Sequence, residues 1–241
     1  MNQTTLTLAG RRQLTYDVWE LILVGDTSAV TAPGQFVNLQ LEGSFLRRPI
    51  SICDWDDGSL TLLVRVVGDG TAQLCNSPLG TDFDTLVGLG NGFDPARAVG
   101  TPLCIGGGIG AAPLYGLAKR MAVPPAVALG FNTKDDALYS KEFTDLGCSV
   151  FLSTVDGSLG LPGFVTELLP HIEGSYGFCC GPEAMLRAVA QSGALTGGQF
   201  SLEARMGCGF GACMGCSCQT KTGSKRICKD GPVLDMEELV W

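Results

Sequence analysis

The chain has one histidine, His171, among 241 residues, so a histidine-based metal centre or proton relay has no second member. Basic residues are few. Sixteen Lys and Arg face 24 Asp and Glu, a net charge of -8, which argues against a nucleic-acid footprint and a polybasic membrane anchor. No apolar run reaches the roughly 18 residues that a membrane helix needs. The opening MNQTTLTLAGRRQLTYD lacks the basic-then-apolar order of a signal peptide, so a cytoplasmic chain is expected. Neither an internal repeat nor a low-complexity segment occurs.

Two residue types are abundant. The 34 glycines have no collagen-like period and point to tight turns and close backbone approaches. The 11 cysteines are odd in number and carry no secretory signal, which argues against a disulfide scaffold and for metal or redox chemistry. Cys53, Cys75, Cys104 and Cys148 are scattered and read as small buried apolar residues. Cys208, Cys213, Cys216, Cys218 and Cys228 are clustered. With 45% hydrophobic and 17% charged residues, the chain can bury a substantial core.

Three units are expected along the chain. Residues 1–97 hold short apolar runs (Tyr16–Val24, Gln35–Leu41, Pro49–Cys53, Leu60–Val67) separated by Gly, Pro and Asp clusters, the grammar of an antiparallel barrel or sandwich. Residues 98–197 alternate strand and helix, which predicts a doubly wound parallel α/β sheet. Its strands are Pro102–Ile105, Ala126–Gly130, Val150–Thr154 and Tyr176–Cys180, with helices before Met121, over Phe164–Leu169 and over Pro182–Gln191. Residues 198–241 begin with a strand over Gln199–Ala204 and lead into a small cysteine-rich unit.

In that unit, Cys208-x4-Cys213-x2-Cys216-x11-Cys228 has the plant-type [2Fe–2S] spacing. Four thiolates, two ferric ions and two sulfides sum to a dianion, and the surrounding glycines let backbone N–H groups turn toward the sulfurs. A structural zinc site is the alternative, although zinc usually takes its ligands in closely spaced pairs and Cys228 stands alone. Cys218 is left outside the ligand set and remains a possible substitute for Cys228. A hairpin over Lys221–Lys225 is expected to bring Cys228 back toward Cys216. Such a cluster moves one electron at a time, whereas a nicotinamide gives up two as hydride. If the middle unit binds a nicotinamide, a flavin is needed between them.

Two turns suit a dinucleotide. Gly106-Gly107-Gly108-Ile109-Gly110-Ala111-Ala112-Pro113 follows a strand and opens a helix, and Cys180-Gly181-Pro182-Glu183-Ala184-Met185 does the same. Both lie at C-terminal strand ends, where open α/β sheets bind ligands. Taken alone, the first also fits an ordinary strand–helix loop. Asp135 and Asp136 follow the next strand, where a carboxylate would accept from a ribose 2′-hydroxyl and repel a 2′-phosphate, favouring NAD over NADP. In the first unit, Arg48 of Arg47-Arg48-Pro49-Ile50-Ser51 is a candidate for a flavin pyrophosphate and Ser51 for the ring edge. The bland reading of these arginines is an exposed basic turn. Leu63, Val64, Arg65, Gly70 and Thr71 would complete the flavin site.

These motifs together resemble the ferredoxin–NADP reductase superfamily, with RPIS at Arg48–Ser51 similar to its flavin motif Arg-x-Tyr-Ser. The resemblance is closer to the electron-transfer subunits of class 1B dihydroorotate dehydrogenases. RRPIS, the GDGT turn, LEARMGCGFGACMGC (202–216) and CKDGPVLD (228–235) carry it, and it covers essentially the whole chain. It implies an FAD barrel, an NAD-binding domain and a C-terminal cluster domain. It also implies an FMN-containing catalytic partner that oxidises dihydroorotate in pyrimidine biosynthesis, assembled as a heterotetramer of two of each. Ile50 replaces the motif's Tyr, so ring stacking from that position is missing. Two other readings remain: a reductase subunit of similar build serving a hydrogenase or a ferredoxin-dependent enzyme, and a zinc-stabilised binding module without redox activity.

Overall fold

The computed structural model describes residues 1–98 and 101–241. Leu6, Leu8, Leu21, Leu23, Leu60 and Leu62 alternate along their strands and turn into one apolar core. That alternation closes six antiparallel strands into a barrel: β1 (Asn2–Gln13), β2 (Val18–Gly25), β3 (Phe36–Leu39), β4 (Arg48–Asp56), β5 (Ser59–Arg65) and β6 (Asp82–Leu89). Their order round the barrel is β1-β2-β5-β4-β3-β6. Helix α1 (Asp69–Asn76) forms where the sequence suggested only the GDGT turn.

The second layer is a sheet of seven strands. β7 (Pro102–Gly107), β8 (Ala126–Phe131), β9 (Ser149–Thr154), β10 (Leu161–Pro162), β11 (Tyr176–Cys180), β12 (Gly197–Ser201) and β15 (Val233–Asp235) run in the order β10-β9-β8-β7-β11-β12-β15. All pair in parallel except β15, which lies antiparallel to β12. Successive residues face opposite sides, as the parallel-sheet expectation requires. Cys104, Val127 and Phe178 pack with helices α2 (Ala111–Ala118) and α3 (Ser140–Asp145). Ile105, Ala128 and Cys179 pack toward the 165–171 segment and α4 (Glu183–Gln191).

Two local differences have physical causes. The helix expected over Phe164–Leu169 is a run of 3-10 turns, Val165–His171, and Pro170 within it cannot donate the N–H that an α-helix would use. The strand expected over Gln199–Ala204 runs instead over Gly197–Ser201 and pairs with β11, so the expected boundary at 197/198 falls inside it. Sheet pairing, rather than the change in composition, decides where this unit ends. The cysteine-rich unit then adds a two-stranded hairpin, β13 (Ser217–Thr220) and β14 (Gly223–Arg226), matching the turn expected over Lys221–Lys225.

The barrel and the sheet are held together by polar contacts around α2. Arg120 binds Asp54 at 2.9 Å and stacks over Trp55, and Lys119 also pairs with Asp54. Tyr139 donates its hydroxyl to Glu20 at 2.6 Å. These contacts bring the C-terminal ends of β7 and β11 against β4 and β5, and the candidate site forms there. His171 is exposed at the end of its segment. Among the described residues no helix is long and apolar enough to cross a membrane.

Candidate functional site

The cysteine loop leaves the sheet after Ser201 and returns at Val233, and backbone N–H groups point at its thiols. Ala212 and Cys213 donate to Cys208 Sγ at 3.2 and 3.4 Å, and Gly215 donates to Cys213 Sγ at 3.5 Å. Cys228 N–H donates to Cys216 Sγ at 3.4 Å, so the distant fourth cysteine does return to the loop. The four sulfurs fall into two pairs, Cys208 with Cys213 and Cys216 with Cys228. Cys216 and Cys228 are buried, while Cys213 is exposed. Burial opposes ionisation of Cys208, but the N–H groups of Phe210, Cys213 and Ala212 bring its thiol down to about 6. Burial, then the neighbouring Cys216, pushes the Cys228 thiol up to about 12.

Two thiol pairs suit two irons bridged by sulfide, and the N–H donors suit the negative charge such a cluster carries. A single zinc ion needs its ligands round one point. Cys218 lies on β13 opposite Lys225, outside both pairs. It lines a separate cavity of about 380 Å³ with Cys216 and Trp241.

A cavity of about 210 Å³ lies where the barrel, the sheet and the start of the cysteine loop meet. Pro49, Ile50, Ser51, Leu63, Val64 and Arg65 line its barrel side. Gly110, Ala112, Pro113 and Cys180 line its sheet side, although the sequence motif had placed them with the nucleotide. The reason is packing: α2 starts directly beneath β4, and a Cβ on Gly116 would lie 2.5 Å from the Cys53 carbonyl. Leu202, Ala204 and Met206, from the start of the cysteine loop, line it as well. Arg48, Gly70 and Thr71 form a separate corner of the barrel. Arg47 is engaged with Asp84 at 2.7 Å, whereas Arg48 lies over Gly70 and, among the described residues, donates to the Leu46 carbonyl and the Ser44 hydroxyl. The Thr71 hydroxyl accepts from the Val67 and Gly68 N–H groups and orders the turn that opens α1.

A groove of about 540 Å³ opens across the strand ends. Gly107, Gly108, Gly181, Pro182 and Met185 line it, as the two turns suggested, and Phe164 and Val155 stand at its rim. Gly106 is buried behind it among Leu114 and Leu129. Glu183 faces the cavity near Cys218 instead and pairs with Arg187 at 3.0 Å. Asp136 lines the groove, but its carboxylate accepts from the Thr133 N–H and hydroxyl, both at 3.0 Å. Asp135 is exposed and does not line the groove.

Arg65 and Glu203 each line both the cavity at the barrel and the groove. Glu203 is exposed to solvent and stands in the open space between them. Desolvation by the surrounding protein raises its carboxyl above the usual range, and Arg65 opposes that rise. Sequence reasoning did not single out Glu203. An acid at the C-terminal end of a parallel strand, beside two glycine turns, was the available signal.

The closed barrel packed on a parallel sheet of six strands defines the ferredoxin-reductase class of flavin and nicotinamide oxidoreductases. An NADH-dependent reduced ferredoxin–NADP oxidoreductase structure, described for flavin-based electron bifurcation, superposes with a TM-score of 0.89 at 27% identity, covering 98% of this chain and 90% of that one. A ferredoxin–NADP+ reductase from Neisseria gonorrhoeae with bound FAD and NADP shares the fold at a TM-score of 0.67 and 17% identity, over 79% of this chain and 89% of that one. Residues 203–240 match the family model for the iron–sulfur cluster binding domain of dihydroorotate dehydrogenase B. The dihydroorotate dehydrogenase B (NAD(+)) electron transfer subunit of Listeria innocua is 42% identical over 99% of both chains. Its counterpart in Bacillus cereus is 39% identical over 100% of this chain and 99% of that one. The chain belongs to the family of dihydroorotate dehydrogenase B electron transfer subunits.

Proposed function

We propose that this chain passes electrons between NAD and an FMN-containing dihydroorotate dehydrogenase catalytic subunit, through FAD and a [2Fe–2S] cluster, in the pathway to UMP. The observation that carries this is the sharing of walls. The nucleotide groove and the flavin-side cavity meet at Arg65 and Glu203, and the lead-in to the cysteine loop also lines the cavity. A hydride donor, a flavin and a one-electron acceptor would therefore sit in sequence. When bound, the flavin supplies the exchange between two-electron and one-electron chemistry.

The chain's own residues bind, orient and exclude water. Arg48 holds the flavin pyrophosphate beside the N-terminus of α1, and Ser51 and Ile50 border the ring. Leu202, Ala204 and Met206 take the covering role left vacant by Ile50. Gly107, Gly108, Gly181 and Pro182 let the nucleotide approach the sheet, and Asp136 places negative charge where a 2′-phosphate would come. Cys208, Cys213, Cys216 and Cys228 hold the irons in two pairs. We further propose three units in the sequence, 1–97, 98–197 and 198–241, the last two sharing strand β12, a heterotetramer of two of each subunit, and a cytoplasmic location, where the cysteines outside the cluster would stay reduced.

The test is to purify the protein with its native partners. The expected result is flavin and [2Fe–2S] absorption, a co-purifying FMN protein, and NADH formation on adding dihydroorotate and NAD. A colourless protein, or one loaded with zinc, refutes the redox reading. A second reading, the same electron path serving another oxidoreductase, has the NADH-dependent ferredoxin–NADP oxidoreductase likeness in its favour. A coloured, NADH-reducible protein that co-purifies with a different enzyme would establish it.

A further inference from the structure

Strand β3 sends two side chains out of the barrel on one side. Val37 and Leu39 point into the barrel core, so Phe36 and Asn38 point away from it. Phe36 lines the flavin-side cavity and packs in the same apolar cluster as Cys216 and Cys228. Asn38 is 1% exposed, and its Nδ2 donates to the Cys208 carbonyl at 3.1 Å. Among the described residues this is the one hydrogen bond from the barrel to residues 205–217. The loop's anchor at the Gly211 carbonyl comes from Arg226, within the cysteine-rich unit itself, and cannot fix the loop relative to the barrel.

The loop is shaped around this amide. Gly209 has φ +78, and a Cβ there would lie 2.3 Å from Asn38 Nδ2. The Asn38 Oδ1 has no hydrogen-bond partner although it is buried. Burying the unpaired Oδ1 costs free energy, and the bond that the fold keeps at this amide is the one from its donor end to the Cys208 carbonyl.

We propose that Asn38 is a positioning residue that holds the Cys208 arm of the cluster loop against the flavin-side wall of the barrel, and so governs electron transfer between flavin and cluster. The inference rests on the FAD and [2Fe–2S] reading above. In that transfer one electron leaves the reduced flavin and one ferric ion becomes ferrous, with no heavy atom changing partners. Phe36 and Asn38 are two residues apart on a strand, about 7 Å, so one rigid segment touches both centres. Electron tunnelling falls steeply with distance, and a loop released from this segment would sample longer separations.

The test uses the purified holoprotein and Asn38→Leu, which keeps the side-chain bulk and removes the donor. Iron and flavin content and the rate of flavin reduction by NADH should match wild type. Amide hydrogen exchange at residues 208–213 should quicken, and cluster reduction, followed by electron paramagnetic resonance after rapid freezing, should slow. Each change should be about three- to tenfold, the factor that one ordinary hydrogen bond carries. Wild-type exchange together with wild-type cluster reduction would overturn the proposal, as would equal slowing of flavin and cluster reduction. If Asn38→Leu fails to load the cluster, Asn38→Ser is judged by the same two readouts. A wild-type protein without flavin or iron would instead refute the cofactor reading.

Discussion

Replacing Gly70 with alanine should separate flavin binding from folding. A Cβ at Gly70 would lie 2.1 Å from Arg48 Nε. To reach an ordinary contact of about 3.5 Å, the guanidinium must retreat by roughly 1.4 Å. The fold can accept this readily, because the atom that moves is the far part of a flexible side chain. Gly70 also sits in helix α1, where alanine is favoured over glycine by about 0.5–1 kcal/mol. Gly70→Ala should therefore hold or raise the melting temperature while it pulls Arg48 off the pyrophosphate. A hydrogen bond to a charged group is worth about 1.5–3 kcal/mol. Arg48→Ala should accordingly weaken FAD retention by about ten- to a hundredfold, and Gly70→Ala by an amount near the lower end. Gly68→Ala is the control, since no atom lies within 4 Å of its added Cβ and its φ of 174 is ordinary extended backbone. The assay is flavin occupancy after equilibrium dialysis at limiting FAD, alongside thermal unfolding. If Gly70→Ala and Gly68→Ala retain FAD equally, Arg48 does not hold the pyrophosphate.

Four further outcomes are expected. Cys228→Ser should abolish or strongly perturb the visible and paramagnetic signals of the cluster, while Cys218→Ser leaves them nearly unchanged; the opposite pattern would exchange the two in the ligand set. NADH should exceed NADPH in kcat/KM, and equal values would remove Asp135 and Asp136 from any role at the ribose. Phe210 and Met214 are 45% and 55% exposed on the cysteine loop, and Phe210→Asp should weaken assembly with the catalytic subunit by about tenfold or more in analytical ultracentrifugation; unchanged assembly would move the interface elsewhere. Desolvation raises the Glu203 carboxyl, so the folded chain holds this proton more tightly than the unfolded chain. Stability is therefore lost as pH rises above the ordinary carboxylate range, and the thermal gain of Glu203→Gln should grow with it; a pH-independent gain would contradict the raised carboxyl.

What the sequence revealed was mostly local. The cysteine spacing, the two glycine turns and the parallel strands each complete their signal within about 20 residues, and all reappear in the structure. The barrel was less legible at its ends. Asn2–Gln13 buries mainly Leu6 and Leu8, too few to mark a strand of that length. Asp82–Leu89 alternates correctly, but with Asp and Thr among its members it reads as polar. The junction residues were not legible at all. Asn38 and Cys208 lie 170 positions apart and meet only when the barrel packs on the sheet. The same packing turns Gly110, Ala112, Pro113 and Cys180 toward the flavin-side cavity.

The return of β15 beside β12 has a consequence for how such a protein ages. Ser201 and Val233 are direct partners across the two strands, so residues 202–232 leave and re-enter the sheet at one point. The excursion is closed by backbone pairing, and the entropy of closing it does not fall on the metal. Loss of the cluster would then loosen residues 202–232 while the pairing of β12 with β15 stays in place. The cost of losing the metal would fall on that excursion alone, because the sheet that carries the nucleotide groove closes without it.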